Sequence, residues 1–205
     1  KRNEAGKLLL NELGQPIANT IKTGVGNPNP DWLMGISSSL TYHNINFSFL
    51  FDIRQGGAIY NGTRASLSQY GLTAESADRD RTYLIDGVYD QNTSKPGEQN
   101  TTPVTAIYYF QNYKGLAGAT ENAIEDGSWV RLRSVSLGYR FDKFKIKAIS
   151  YIDLSVSGRN LWLSTKYKGV DPETSLTGAG SNISGMDWFN NPGTKSYGVA
   201  LKVGF

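Results

Sequence analysis

The chain has 205 residues, with 21 Lys and Arg against 18 Asp and Glu, 39% hydrophobic residues and no cysteine. The lack of cysteine excludes disulfides, thiolate nucleophiles and Cys-ligated metals, and a formal net charge of +3 with no basic stripe beside stacking aromatics leaves no footprint for nucleic acid. No apolar run approaches the roughly 20 residues of a membrane helix, which excludes helical spans but not membrane strands, whose alternation keeps mean hydropathy low.

Lys1 opens directly into polar sequence without a signal peptide, so the chain is expected to begin mid-protein. Residues 1–30 are rich in Gly, Asn and Pro and read as loop, with a short strand at 6–10. Residues 32–43 alternate: Trp32, Met34, Ile36, Leu40 and Tyr42 share one parity, opposite mostly small and polar partners. His43-Asn44 then forms a two-residue hairpin turn. Residues 45–55 alternate more strongly, with Ile45, Phe47, Phe49, Phe51 and Ile53 facing one side. The pattern breaks over residues 56–127, a long loop with short helices expected within 58–72 and 105–113.

Residues 128–141 form a third strand, with Trp129, Val135, Leu137, Tyr139 and Phe141 on one parity. Arg131 and Arg133 fall on the same apolar parity, which requires that end to lie above hydrocarbon or to contain a bulge. A lysine-rich turn at 142–148 leads into a fourth strand at 149–165, where Ile152, Leu154, Val156 and Trp162 oppose Asp153, Ser155, Ser157 and Arg159. A second long polar loop, 166–194, carries Asp171-Pro172-Glu173 and Gly178-Ala179-Gly180. Residues 196–205 close the chain, with Tyr197, Val199, Leu201, Val203 and Phe205 on one face.

Connections thus run short, long, short, long, as in bacterial outer-membrane barrels with short periplasmic turns and long extracellular loops. Aromatic rings sort by strand end. Trp32, Trp129 and Trp162 are expected at the external girdle, and Tyr42, Tyr139 and Phe205 at the periplasmic one. The expected fold is all-β: about five strands of an antiparallel transmembrane β-barrel. Five strands cannot close, since the smallest membrane barrels have about 8. The remaining strands are expected from elsewhere, most simply from preceding sequence. The alternative is a secreted β-sandwich lectin, with both faces of its sheet covered. A barrel-embedded hydrolase would need a nucleophile, a base and oxyanion donors that converge, and no such set appears.

Four stretches carry a family resemblance: Asn27-Pro28-Asn29-Pro30-Asp31-Trp32; Phe49-Leu50-Phe51-Asp52-Ile53-Arg54-Gln55-Gly56-Gly57; Ser128-Trp129-Val130-Arg131-Leu132-Arg133-Ser134-Val135-Ser136-Leu137-Gly138-Tyr139; and Ser157-Gly158-Arg159-Asn160-Leu161 followed by Thr165-Lys166-Tyr167-Lys168-Gly169-Val170-Asp171-Pro172-Glu173. In this order they resemble the SusC/RagA-like TonB-linked outer-membrane transporters. The resemblance implies the C-terminal part of a 22-stranded barrel around an N-terminal plug. It also implies import of oligosaccharides or peptides energised by the TonB complex, and a SusD-like surface lipoprotein as a partner. It implies no cofactor and no enzymatic activity.

Among individual residues, Asp52, Arg54, Asp153 and Arg159 have the parity of the lumen and are candidates to line the solute path, bond the plug or pair with one another. Tyr60, Trp188 and Phe189 lie in the long loops and are candidates for contacts with ligand or lid, or equally for packing within the loops themselves. Phe205 is read as an assembly signal. His43, the single histidine, reads as a turn residue rather than a metal or triad member. Asp171, Glu173 and Asp187 lack the spacing of a calcium loop and read as solvated loop residues around an Asp-Pro turn.

Overall fold

A computed structural model describes residues 1–142, 148–177 and 183–205. In chain order the elements are β1 (Leu9–Leu10), β2 (Trp32–Tyr42), β3 (Ile45–Gln55), β4 (Ala58–Asn61), α1 (Gly62–Gln69), β5 (Thr82–Tyr83), β6 (Val88–Tyr89), β7 (Val104–Thr105), a π-helical turn (Tyr108–Tyr113), β8 (Ile124–Asp126), β9 (Trp129–Phe141), β10 (Tyr151–Thr165), β11 (Met186–Asp187) and β12 (Ser196–Gly204). They fall into two units. The first comprises Lys1–Gly26, Tyr60–Ile124 and Met186–Phe189; the second comprises Asn27–Ile59, Glu125–Gly185 and Asn190–Phe205.

The second unit is built on a five-stranded sheet of order β12-β10-β9-β3-β2. Each neighbouring pair is antiparallel. The expected hairpin is present: Tyr42 pairs with Ile45, and His43 takes φ 49°, a left-handed conformation that closes the two-residue turn. All short connections lie at this hairpin end of the sheet, and all long ones at the other, the loop end. The lysine-rich turn expected at 142–148 falls largely outside the described residues, as does Gly178-Ala179-Gly180.

Register gives the sheet two unlike faces. One row runs Leu40, Phe47, Leu137, Val156, Val199, and the next runs Tyr42, Ile45, Tyr139, Leu154, Leu201. The Phe47, Phe49 and Phe51 rings follow one another along this apolar face, with centroids 5.9 and 5.8 Å apart. Among the described residues no second layer covers it: Leu40, Leu137, Val156 and Leu201 are exposed, and Val199 is 75% accessible. The opposite face is a carpet of small polar groups. One of its rows is Ser39, Ser48, Ser136, Ser157, Gly198 across all five strands.

Both faces depend on irregularities in β9 and β10. Between Leu50 and Phe51 the β3–β9 register shifts, because Leu50 pairs with Ser134 while Phe51 pairs with Leu132. Arg133 is the extra residue. The β9–β10 register shifts at the same height, between Arg159 and Trp162, where Asn160 has φ 53°. A bulge in one strand exchanges the faces beyond it. Val130 and Leu132 therefore join the apolar face, and Trp129 and Arg131 join the polar one.

This corrects one expectation. Trp129 is not part of an aromatic girdle. It pairs with Arg54 and Thr165 on the polar face and is only 7% exposed. Trp32, Tyr42, Tyr139 and Trp162 are on the apolar face and accessible.

The first unit has a small core of its own, Leu10, Ile85 and Val104, packed by Leu8, Tyr83, Tyr108, Tyr109 and Tyr113. Tyr83 stacks on Tyr109 at 4.3 Å. Short pairings tie this unit together: β1 with β6, β5 with β7, and β4 with β11. The two helical segments expected in the long loop correspond to α1 and the π-helical turn.

Candidate functional site

The polar face of the sheet concentrates its charge at two places, separated by the serine-rich rows. At the hairpin end, Arg140 donates two hydrogen bonds to the Asp153 carboxylate, at 2.7 and 3.0 Å, and lies over the Tyr151 ring. Lys202 approaches the same ring. At the loop end a larger network forms. Arg133 Nε donates to Asp52 Oδ2 at 2.6 Å, while its two terminal nitrogens grip Glu173 at 2.9 and 2.7 Å. Arg131 Nη2 binds Asp171 Oδ1 at 2.5 Å, with both side chains almost wholly buried. The guanidinium groups of Arg131 and Arg133 lie 5.5 and 5.6 Å from the Trp129 ring, so the indole that the bulge brings to the polar face meets two cations there.

Local sequence builds this network. The double irregularity places Arg131 and Arg133 toward the polar face, and Asn160 Oδ1 accepts a long bond from Arg133 at 3.4 Å. The Asp171 carboxylate accepts from the Glu173 backbone N–H at 3.0 Å, and its carbonyl accepts from Thr174. This Asp-Pro turn therefore presents two carboxylates two residues apart to two arginines two residues apart. Gly57 has φ 88°, and a Cβ there would lie 2.6 Å from Arg54 Nη2 and 2.9 Å from the Pro28 carbonyl. That glycine lets Arg54 donate to Pro28 O at 2.6 Å.

Of the expected lumen candidates, Asp52, Arg54, Asp153 and Arg159 all lie on the polar face, but not in one place. Asp52 belongs to the loop-end network, Arg54 lies at the same end but donates to the Pro28 carbonyl, Asp153 belongs to the hairpin-end pair, and Arg159 pairs across to Ser134 and Ser196 between the two ends. Tyr60, Trp188 and Phe189 do come together, within the first unit. Tyr60 and Trp188 are near-parallel at 6.3 Å, and Phe189 sits edge-on to Trp188. Phe189 has φ 57°, and its N–H donates to Thr63 Oγ1, whose hydroxyl donates to buried Asp187. Gly62 is required beneath Trp188, because any Cβ would collide with the indole. Phe205 is accessible beyond the end of β12.

Asp171 and Asp187 are not the solvated loop residues expected from sequence, whereas Glu173 is exposed. Asp171 and Asp187 are buried, and Asp171 and Glu173 are bound to arginines. Among the described residues no group of three or more His, Asp or Glu is arranged to hold a metal. His43 stays in its turn, edge-on to Tyr42. The arginine pair was the residue set that sequence reasoning left without a role. Its signal was visible as two cations on the wrong parity. At the end of β8, outside the five-stranded sheet, the Ser128 hydroxyl and N–H donate to Asp126 and hold that carboxyl below its usual range.

No family model matches the sequence. A TonB-dependent receptor of Formosa agariphila, P3, is 29% identical over 188 residues, which is 88% of this chain and 17% of that protein. SusC of Bacteroides thetaiotaomicron, also named a TonB-dependent receptor, is 26% identical over 220 residues, 96% of this chain and 18% of that one. The chain resembles the SusC/RagA-like TonB-dependent receptors. Among solved structures, the RagAB peptide importer superposes with a TM-score of 0.56 in its open-open state, at 18% identity over 86% of this chain, and with the same score over 99% of it in the closed-closed state. The five-stranded sheet is thus a segment of an antiparallel β-barrel wall. The chain spans 17–18% of the length of these curated relatives.

Proposed function

We propose that this chain forms part of the barrel wall of a TonB-dependent importer in the bacterial outer membrane. In this reading the apolar face meets lipid and the small polar face lines the lumen. The observation that carries it is the uncovered apolar face, which spans four consecutive strand pairings opposite a charged, serine-rich face. Eleven residues, the length of β2, rise about 3.4 Å each and, tilted by about 40°, span about 29 Å, enough for an apolar band about 25 Å tall. The open edges of β2 and β12 pair with further strands of the same barrel, because unpaired backbone groups in hydrocarbon cost several kcal/mol each. The solute is an oligosaccharide or a peptide, taken up without bond making or breaking. The partners are the plug, the TonB complex and a SusD-like lipoprotein.

A secreted sandwich would cover the apolar face with a second sheet, and the described residues supply none. Uptake decides the matter. Cells lacking the full-length gene should lose accumulation of labelled oligosaccharides or peptides, and so should cells whose TonB is inactivated. Accumulation that survives both losses, or a full-length protein that is soluble without detergent, contradicts the proposal.

A further inference from the structure

We infer that Arg131 and Arg133 form a two-stage clamp on the turn at 171–173: Asp171 is a permanent anchor and Glu173 is a stage that can release. The stages differ in burial. The Arg131 and Asp171 side chains are 4% and 7% accessible, whereas Arg133 and Glu173 are 28% and 42% accessible. They also differ in what release would leave behind. Arg133 holds Asp52 through Nε at 2.6 Å independently of Glu173. When Glu173 leaves, Arg133 keeps a charge-assisted bond, and Glu173 passes into water. Arg131 has no such reserve. Its Nε lacks a hydrogen bond, and its other carboxylate contact, to Glu173, is 3.5 Å long. Loss of Asp171 would strand a buried cation, the most costly way to break an ion pair.

The backbone supports the same division. Asp171 closes its own turn through the Glu173 N–H and the Thr174 N–H and hydroxyl. Gly193 packs so tightly on the Asp171 carboxylate that a side chain there would collide with it. Beyond Glu173, the contacts of the described residues are long or made by side-chain hydroxyls: the Asn190 amide donates to Thr174 Oγ1 at 3.5 Å, Thr177 donates to the Ile183 carbonyl at 2.5 Å, and Ser175 donates to the same carbonyl at 3.4 Å. The bulge at Arg133 and the left-handed Asn160 are the local devices that point the shared cation at both carboxylates. Asp171 is therefore fixed to the polar face, while Glu173 and residues 174–177 can lift from it. This does not depend on which solute is carried, or on import at all.

The test uses the full-length protein in lipid vesicles, with pairs of spin labels and one label always at Ser155→Cys on the polar face. The second label is at Val170→Cys or Leu176→Cys. In the parent protein both distance distributions should be narrow. Glu173→Gln should broaden the Leu176 distribution at least twofold and leave the Val170 distribution unchanged. Raising salt to about 1 M should do the same without mutation, because the Debye length falls to about 3 Å and only accessible pairs are screened. Asp171→Asn should broaden both. If that variant fails to fold, the Glu173 variant and the salt series still decide. An unchanged Leu176 distribution in Glu173→Gln, or equal broadening at both positions, overturns the clamp.

Discussion

Substituting Phe49 with arginine separates the two faces energetically. Phe49 lies near the middle of β3, opposite Ser38 and Val135, on the face assigned to lipid. A cation at mid-bilayer costs about 2–4 kcal/mol. The substitution also removes two ring contacts, to Phe47 and Phe51, each worth about 0.5–1.5 kcal/mol. The expected loss is therefore about 3–7 kcal/mol. Ser48→Arg places the same charge one residue away, in the serine row of the polar face, and should cost about 0.5 kcal/mol or less. Urea unfolding of the full-length protein in vesicles, followed by tryptophan emission, measures both. A Ser48→Arg loss equal to or larger than that of Phe49→Arg would refute the assignment of faces.

Asp171→Asn strands Arg131 and should destabilise the full-length barrel by about 3–5 kcal/mol, whereas Glu173→Gln should cost about 1 kcal/mol or less; the same urea titration compares them. The chain expressed alone should not yield a monodisperse monomer in aqueous buffer, because its apolar face and both edge strands are uncovered, and size-exclusion chromatography checks this. Deleting Phe205 should lower the surface abundance of the full-length protein while uptake per inserted molecule stays normal; normal abundance with lost uptake would place Phe205 in transport instead. The Asp126 carboxyl is lowered chiefly by the Ser128 hydroxyl and next by its N–H. A depressed folded pKa contributes stability that is present above the unfolded value of about 3.9 and lost as pH falls through the folded value. Ser128→Ala should therefore lower stability at neutral pH more than at pH 2, as acid-titrated unfolding would register.

Alternation made the long strands legible, because a barrel wall with one apolar and one polar face repeats every two residues. The His43-Asn44 turn was legible from its position between two alternating runs. Trp129 was misplaced for a physical reason: parity counts residues, and a bulge adds one. Arg131 and Arg133 announced that bulge by their charge, but their partners lie 40 residues on in the chain, at Asp171 and Glu173, and nothing local encodes such a pairing. The first unit was hardest to see. Its core of Leu10, Ile85 and Val104 is drawn from three distant segments with no periodicity, so each reads as an isolated apolar residue in a polar loop.

The face assignment is tested most directly by quenching in the bilayer. Single fluorescent labels at Phe47, Phe51, Val199 and Leu201, and at Ser48, Ala200 and Lys202, would be introduced into the full-length protein in vesicles carrying a lipid-bound quencher. Strong quenching at the first four positions and little at the last three is the predicted result. Quenching at Ser48, Ala200 and Lys202 with protection at Phe47, Phe51, Val199 and Leu201 would contradict it.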